Sequence, residues 1–176
     1  RIDLGVAGCE PRGALDVCID VEGSHLRVVA THLGLRPRER RAQVRQLLAA
    51  VERGEPSATV LMGDLNEWYL GGRPLRWLHS HFRSTPALAT FPARRPLCAL
   101  DRIWVHPAAC LTRLARHASP LARRASDHLP LVAEIALASG AKPLHPVPDA
   151  VATIPVANFA VQSQSTSYGR GGRRQS

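Results

Sequence analysis

The chain has 176 residues, a net charge of +9 and a 45% hydrophobic composition. That composition excludes wholesale disorder, and the length suits one domain better than two. No apolar run approaches the ~20 residues of a membrane helix, and four scattered cysteines exclude a dense disulfide framework or a zinc knuckle.

The basic residues are almost all arginine, Lys142 being the one lysine, so the positive charge alone is weak ground for a nucleic-acid partner. The chain opens at Arg1 and its one methionine, Met62, is internal. It therefore reads as a processed product or as the C-terminal portion of a longer protein, with no targeting segment legible.

In chain order, Ala14 to Val21 alternates, with Leu15, Val17, Ile19 and Val21 on one face and Asp16, Cys18 and Asp20 on the other. This predicts a half-buried strand. Glu22-Gly23-Ser24 predicts a turn, and Leu26 to His32 a second strand completing a hairpin. Pro37 can open a helix, in which Val44, Leu47, Leu48 and Val51 make one apolar stripe. Arg38, Arg41 and Arg45 lie off that stripe as a solvated face, and Gly54 marks the stop.

Ala58 to Gly63 predicts a strand covered on both faces. Pro74 to Phe82 predicts a short helix, and Leu100 to Val105, Leu111 to His117 and Leu129 to Leu137 predict further strands. Strands and helices in this order indicate a layered α/β or α+β domain. From Ser139 onward the composition turns to Pro, Ser, Gln and Gly and ends in a Gly/Arg run. The expected division is a domain over 1–138 and a disordered tail over 139–176.

Polar groups interrupt the apolar strands at four places: Thr31-His32, Gly63-Asp64-Leu65-Asn66, Leu100-Asp101 and Ser126-Asp127-His128. One end of a sheet is where a site forms in such domains. In an extended chain Asp64 and Asn66 project to one side, a carboxylate and an amide able to hold a hard cation, a water or a phosphate oxygen. Asp127 sets an oxygen ligand beside His128, a possible base, and Asp101 could orient that imidazole. Together these groups equip a site for metal-assisted attack of water on a phosphate ester.

Other combinations carry less. His79-x-His81 lies on a predicted surface helix without a third ligand, and Cys98 and Cys110 are too far apart for a metal knuckle. Gly71-Gly72-Arg73 lacks the Lys-Ser/Thr of a phosphate-binding loop. Trp68 and Tyr69, just past the Asp64/Asn66 pair, are either a stacking surface for a base or lipid headgroup, or a site wall or core. Arg94, Arg95, Arg123 and Arg124 either track a phosphate backbone or solubilise the surface.

Thr31-His32-Leu33, Gly63-Asp64-Leu65-Asn66-Glu67-Trp68, Leu100-Asp101-Arg102-Ile103 and Ser126-Asp127-His128-Leu129-Pro130 resemble, in order, motifs of the endonuclease/exonuclease/phosphatase (DNase I-like) superfamily. The resemblance runs from Glu10 to Leu137. It implies a four-layer α/β/β/α sandwich and Mg²⁺- or Mn²⁺-dependent hydrolysis of a phosphodiester or phosphomonoester, by a protein that is a monomer when complete. Substrates would be nucleic acid, lipid or a small phosphoester.

By the same resemblance His32 contacts a phosphoryl oxygen or assists the leaving group. Asp64 and Asn66 orient water and contact phosphate or metal, and Asp127 is a metal ligand. His128 is base or transition-state partner with Asp101, and Arg12, in Pro11-Arg12-Gly13-Ala14, contacts phosphate.

The family's N-terminal half, with a metal-binding Glu and an Asn, has no counterpart here, and Glu10 is no substitute because no buried strand precedes it. The chain is therefore expected to be incomplete at its N-terminus, to expose apolar sheet surface, and to bind metal poorly by itself. A cytoplasmic location is the default expectation. The rival reading is an inactive remnant serving as an anion-binding or interaction module.

Overall fold

The hairpin forms where the alternation places it. Glu22 and Gly23 both take positive φ, 50° and 80°, the backbone a two-residue turn needs to match the twist of its strands. The computed structural model describes residues 1–52 and 57–137. The proposed helix stop at Gly54 and the tail from 139 onward lie outside the described residues.

In chain order the elements are β1 (Ile2–Asp3), β2 (Gly13–Val21), β3 (Ser24–His32), α1 (Pro37–Val51), β4 (Ala58–Asp64), α2 (Arg73–Phe82), β5 (Asp101–His106), β6 (Leu111–Arg116), α3 (Ala122–Ala125) and β7 (Leu131–Ile135), with a single 3-10 turn at Ala108–Cys110. Strands β1 to β5 form one sheet in sequence order, and β6 and β7 form a second, antiparallel pair. Among the described residues only β3 and β4 run parallel, because α1 carries the chain back over the sheet between them. The two-residue β1 was not foreseen. It is too short to show a period and exists only through its pairing with Gly13 and Ala14.

One face of the large sheet packs under α1 and α2, where Val29, Leu61 and Trp104 meet Val44, Leu47, Leu78 and Phe82. On the other face Val60, Ile103 and Val105 meet Ala133, Leu114 and Leu131 of the small sheet. Among the described residues this makes three of the four layers the resemblance implies: helices, large sheet and small sheet. No helix here is long and apolar enough to cross a membrane.

The small sheet covers only the β4–β5 side. Cross-strand pairing puts Leu15, Val17 and Ile19 on the same face as Ala30, Val28 and Leu26. Yet Leu15 is 62% and Val17 48% exposed, and Ile19 is exposed too. The alternation identified the apolar face of β2 correctly, but that face is largely uncovered, as expected for exposed apolar sheet surface.

Candidate active site

Three of the polar residues are brought together by strand register. His32 of β3 lies opposite Asp64 of β4, and Asp64 lies opposite Asp101 of β5. Residues paired across a ladder share a face, so the three side chains stand in a row on the side of the small sheet. The row exists because three apolar strands end at the same level.

The fourth group arrives on a loop. His128 Nδ1 is 2.7 Å from Asp101 Oδ2, and its Nε2 is 4.0 Å from Asp64 Oδ2. Main-chain bonds dock that loop. The Ala93 N–H donates to the Asp127 carbonyl (2.6 Å), and the Leu129 N–H donates to the Thr90 carbonyl (2.9 Å). The His128 N–H donates to Ser126 Oγ (3.1 Å).

The electrostatics divide the two imidazoles. The hydrogen bond to Asp101 raises the His128 pKa above its ordinary 6.5 against the opposing effect of burial, with Asp64 and Asp127 adding to the rise. Burial lowers His32, and the charges of Arg12 and His128 add to that lowering while Asp64 opposes it. His32 Nε2 lies 3.4 Å from Asp64 Oδ2. Burial also raises the Asp64 carboxyl, with help from Asp101, against the Asn66 N–H and both imidazoles. The arrangement thus holds one imidazole toward its cationic form, one toward its neutral form, and a carboxyl group raised by its burial.

The donor set is the test of fit for a metal ion. Ligand atoms of Asp64, Asp101 and His128 all lie within 4.8 Å of one another. A half-buried carboxylate beside a second one suits a hard cation that takes oxygen ligands. Asp101 is already engaged twice, by His128 and by Thr90, whose hydroxyl donates to Asp101 Oδ2 at 2.5 Å. Asp64 is consequently the oxygen donor best placed to hold the ion. The exposed Asp127 stands at the rim, outside this trio.

Asn66 departs from its expected geometry. Strand β4 ends at Asp64 and Asn66 has φ 50°, so strand alternation does not reach it. Its N–H caps Asp64 Oδ1 (2.8 Å), while its buried side-chain amide donates to the Leu33 carbonyl (2.8 Å). It therefore ties the loop after β4 to the loop after β3. Arg12 donates to Glu10 (2.7 Å) and acts on His32 through its charge.

Sequence reasoning missed Thr90, Phe91 and Arg40. Thr90 is fully buried, and no spacing rule ties it to Asp101. Phe91 packs on His128 with ring centroids 4.9 Å apart, and Trp68 meets Phe91 edge-on at 5.9 Å. Arg40 is buried on α1, paired with Glu67 at 3.3 Å and with the Leu35 carbonyl. A signal did exist for it: Arg40 and Gln43 precede Val44 and Leu47 by one helical turn on the buried stripe. His79 and His81 make no metal group; His79 instead faces Arg102 at 3.4 Å.

The profile of the Endonuclease/Exonuclease/phosphatase family matches residues 6–128. The uncharacterized protein YbhP of Escherichia coli K12 is 38% identical over 151 residues, covering 77% of this chain and 56% of that protein. The chain thus spans just over half the length of the curated relatives it matches. The endonuclease/exonuclease/phosphatase from Bacteroides vulgatus superposes with a TM-score of 0.64 at 19% identity, covering 78% of this chain and 64% of that one. The human Nocturnin catalytic domain, solved with a bound sulfate anion, superposes with a TM-score of 0.53 at 20% identity, covering 73% and 54%.

Proposed function

Since the chain belongs to the endonuclease/exonuclease/phosphatase family, we propose that the protein it forms part of hydrolyses a phosphodiester, of a nucleic acid or a phospholipid, with Mg²⁺ or Mn²⁺. The observation that carries this reading is the row His32, Asp64 and Asp101 in strand register, closed by His128 on Asp101.

In this reading Asp64 would hold the cation, with the rim carboxylate of Asp127 as a further candidate ligand, and the ion would supply charge neutralisation at the phosphoryl oxygens. Asp64 also accepts a hydrogen bond from the attacking water and aims it at phosphorus. Asp101 fixes Nδ1 of His128, so that Nε2 faces the phosphoryl group and its proton stabilises the charge that develops there. The new bond joins the water oxygen to phosphorus, and the bond that breaks joins phosphorus to the ester oxygen. The proton lost by the water passes to the Asp64 carboxylate, whose pKa burial raises, and the departing oxygen takes a proton from bulk water. His32, held toward its neutral form, hydrogen-bonds a phosphoryl oxygen, and Arg12 holds phosphate from the side of β2. Thr90 holds the Asp101 carboxylate in place, and Phe91 limits how far the His128 ring can swing.

The test uses the full-length protein on bis(p-nitrophenyl) phosphate with Mg²⁺, with Mn²⁺ and with EDTA. Asp64→Ala and His128→Ala should each lower turnover by roughly a hundredfold or more. Near-normal turnover by both variants, or turnover undiminished by EDTA, would overturn the proposal. Phosphate binding with no turnover in any metal would favour the anion-binding module instead.

A further inference from the structure

Two loops leave the sheet at the C-terminal ends of the parallel strands β3 and β4, on the edge that carries the catalytic row. Large apolar side chains stand exposed at their tips. Leu35 is 68% and Tyr69 75% exposed, and Trp68 and Leu70 are exposed as well.

These tips are held from beneath. Arg40 donates to the Leu35 carbonyl and to Glu67, Glu67 accepts the Tyr69 N–H (3.2 Å), and the Gly72 N–H donates to the Tyr69 carbonyl (2.8 Å). A buried ion pair and main-chain bonds therefore fix the backbone at Leu35 and Tyr69, and these side chains, with Trp68 and Leu70, meet water.

The charge around them has one sign. Arg36, Arg38 and Arg73 are exposed and Arg41 is half-buried, whereas the acids of the same segments, Glu39 and Glu67, are both buried. Arg41, Trp68, Tyr69, Leu70 and Arg73 line an open cleft of about 770 Å³ between the tips and the helix starts. The tip is continuous with the catalytic row, because Trp68 meets Phe91 and Phe91 meets His128.

Aromatic rings with arginines also serve to stack nucleobases. Leu35 and Leu70 offer a base no ring face, however. Leucine, tryptophan and tyrosine ringed by arginine is the composition that enters the headgroup region of an anionic bilayer. We propose that this tip docks the protein on an anionic phospholipid surface, which, granted the phosphoesterase reading above, makes a membrane phospholipid the substrate class. The arginines meet the headgroup phosphates, the four apolar side chains sit at the acyl boundary, and the catalytic row faces the esters at that depth.

The experiment is co-sedimentation of the full-length protein, in EDTA, with vesicles of phosphatidylglycerol and phosphatidylcholine in equal parts, and with phosphatidylcholine alone. Affinity for the anionic vesicles should exceed that for the neutral ones by about tenfold or more and should weaken as salt is added. The variant Leu35→Ser/Tyr69→Ser/Leu70→Ser should lose about tenfold in that affinity while keeping the wild-type circular dichroism and unfolding midpoint. No affinity for anionic vesicles, or a triple variant that binds them like wild type, would overturn the proposal. So would a single-stranded oligonucleotide that binds more tightly than the vesicles and is lost in the same variant. Docking is read here without turnover, so its failure and a failure of hydrolysis are scored separately.

Discussion

Gly63 sits between Met62 and Asp64 at the end of β4, paired with Thr31 on one side and Arg102 on the other. Its φ is 141°, and a Cβ placed on it would lie 2.8 Å from the Thr31 carbonyl carbon and would overlap the carbonyl oxygen. The obstacle is backbone of the neighbouring strand, not the end of a flexible side chain. In Gly63→Ala, β3 and β4 must therefore part by something on the order of 1 Å in a close-packed sheet. Overpacking of this kind costs about 1–3 kcal/mol, and a non-glycine residue at this φ roughly 1–3 more.

The sum, about 4 kcal/mol, is a large share of the stability of a domain this size and should lower its midpoint by on the order of 10 °C. Because His32 and Asp64 face each other across that same strand pair, the shift should also cost roughly a hundredfold in turnover. Thermal unfolding followed by circular dichroism, together with phosphodiester hydrolysis, measures both effects. Gly8→Ala is the control, since Gly8 also has positive φ but has nothing within 4 Å of an added Cβ. It should lose only about 1 kcal/mol. If Gly63→Ala melted within a degree or two of the control and kept its turnover, the steric reasoning would be refuted.

Two further outcomes follow from buried charge. Glu67→Leu leaves the Arg40 guanidinium buried without its carboxylate and should cost about 3 kcal/mol in urea unfolding, while Arg40→Met added to it should recover at least half of that; a double variant less stable than the single would contradict this. Asp101→Asn removes the main cause of the raised His128 pKa. A group whose folded pKa is raised stabilises the fold fully below its unfolded value, here near 6.5, and ceases to as pH climbs through the folded value. The midpoint gap between wild type and Asp101→Asn in EDTA should therefore be widest at acid pH and narrow toward alkaline pH; a gap that widens with pH would reverse the assignment.

Most of the fold was legible because its elements are long enough to show a period. β2, β3, α1, β4 and α2 fall within a residue or two of where alternation and the helical stripe placed them. What was not legible depends on contacts between distant segments. Periodicity says which residues share a face but not what covers it, so the exposure of Leu15 and Val17 could be anticipated only from the resemblance to a larger fold. Glu39, Arg40 and Gln43 of α1 are polar yet buried, because the loop after β3 brings backbone groups to Arg40 and Gln43 and Gln43 in turn bonds Glu39. The four strand-end motifs were legible as a set, since each polar residue interrupts an apolar run, and the fold brings His32, Asp64, Asp101 and His128 from them together. The geometry of Asn66 was not, because one positive φ cancels the alternation on which the inference rested.

The row of His32, Asp64 and Asp101 and the bare apolar face of β2 are parts of one surface. His32 shares its side of β3 with Ala30, Val28 and Leu26, and these stand opposite Leu15, Val17 and Ile19. Anything that packs on the exposed face of β2 must therefore approach along the same side as His32, Asp64 and Asp101, and its edge would stand beside the candidate site. The wall present here, built from Thr90, Phe91 and the Ser126–His128 loop, stands on the β5 side. It fixes Asp101 and His128, whereas His32 on the opposite flank feels the charge of Arg12. Burying the β2 face and desolvating Asp64 and His32 from that flank are for this reason a single event, in which the stability of the sandwich and the electrostatics of the site change together.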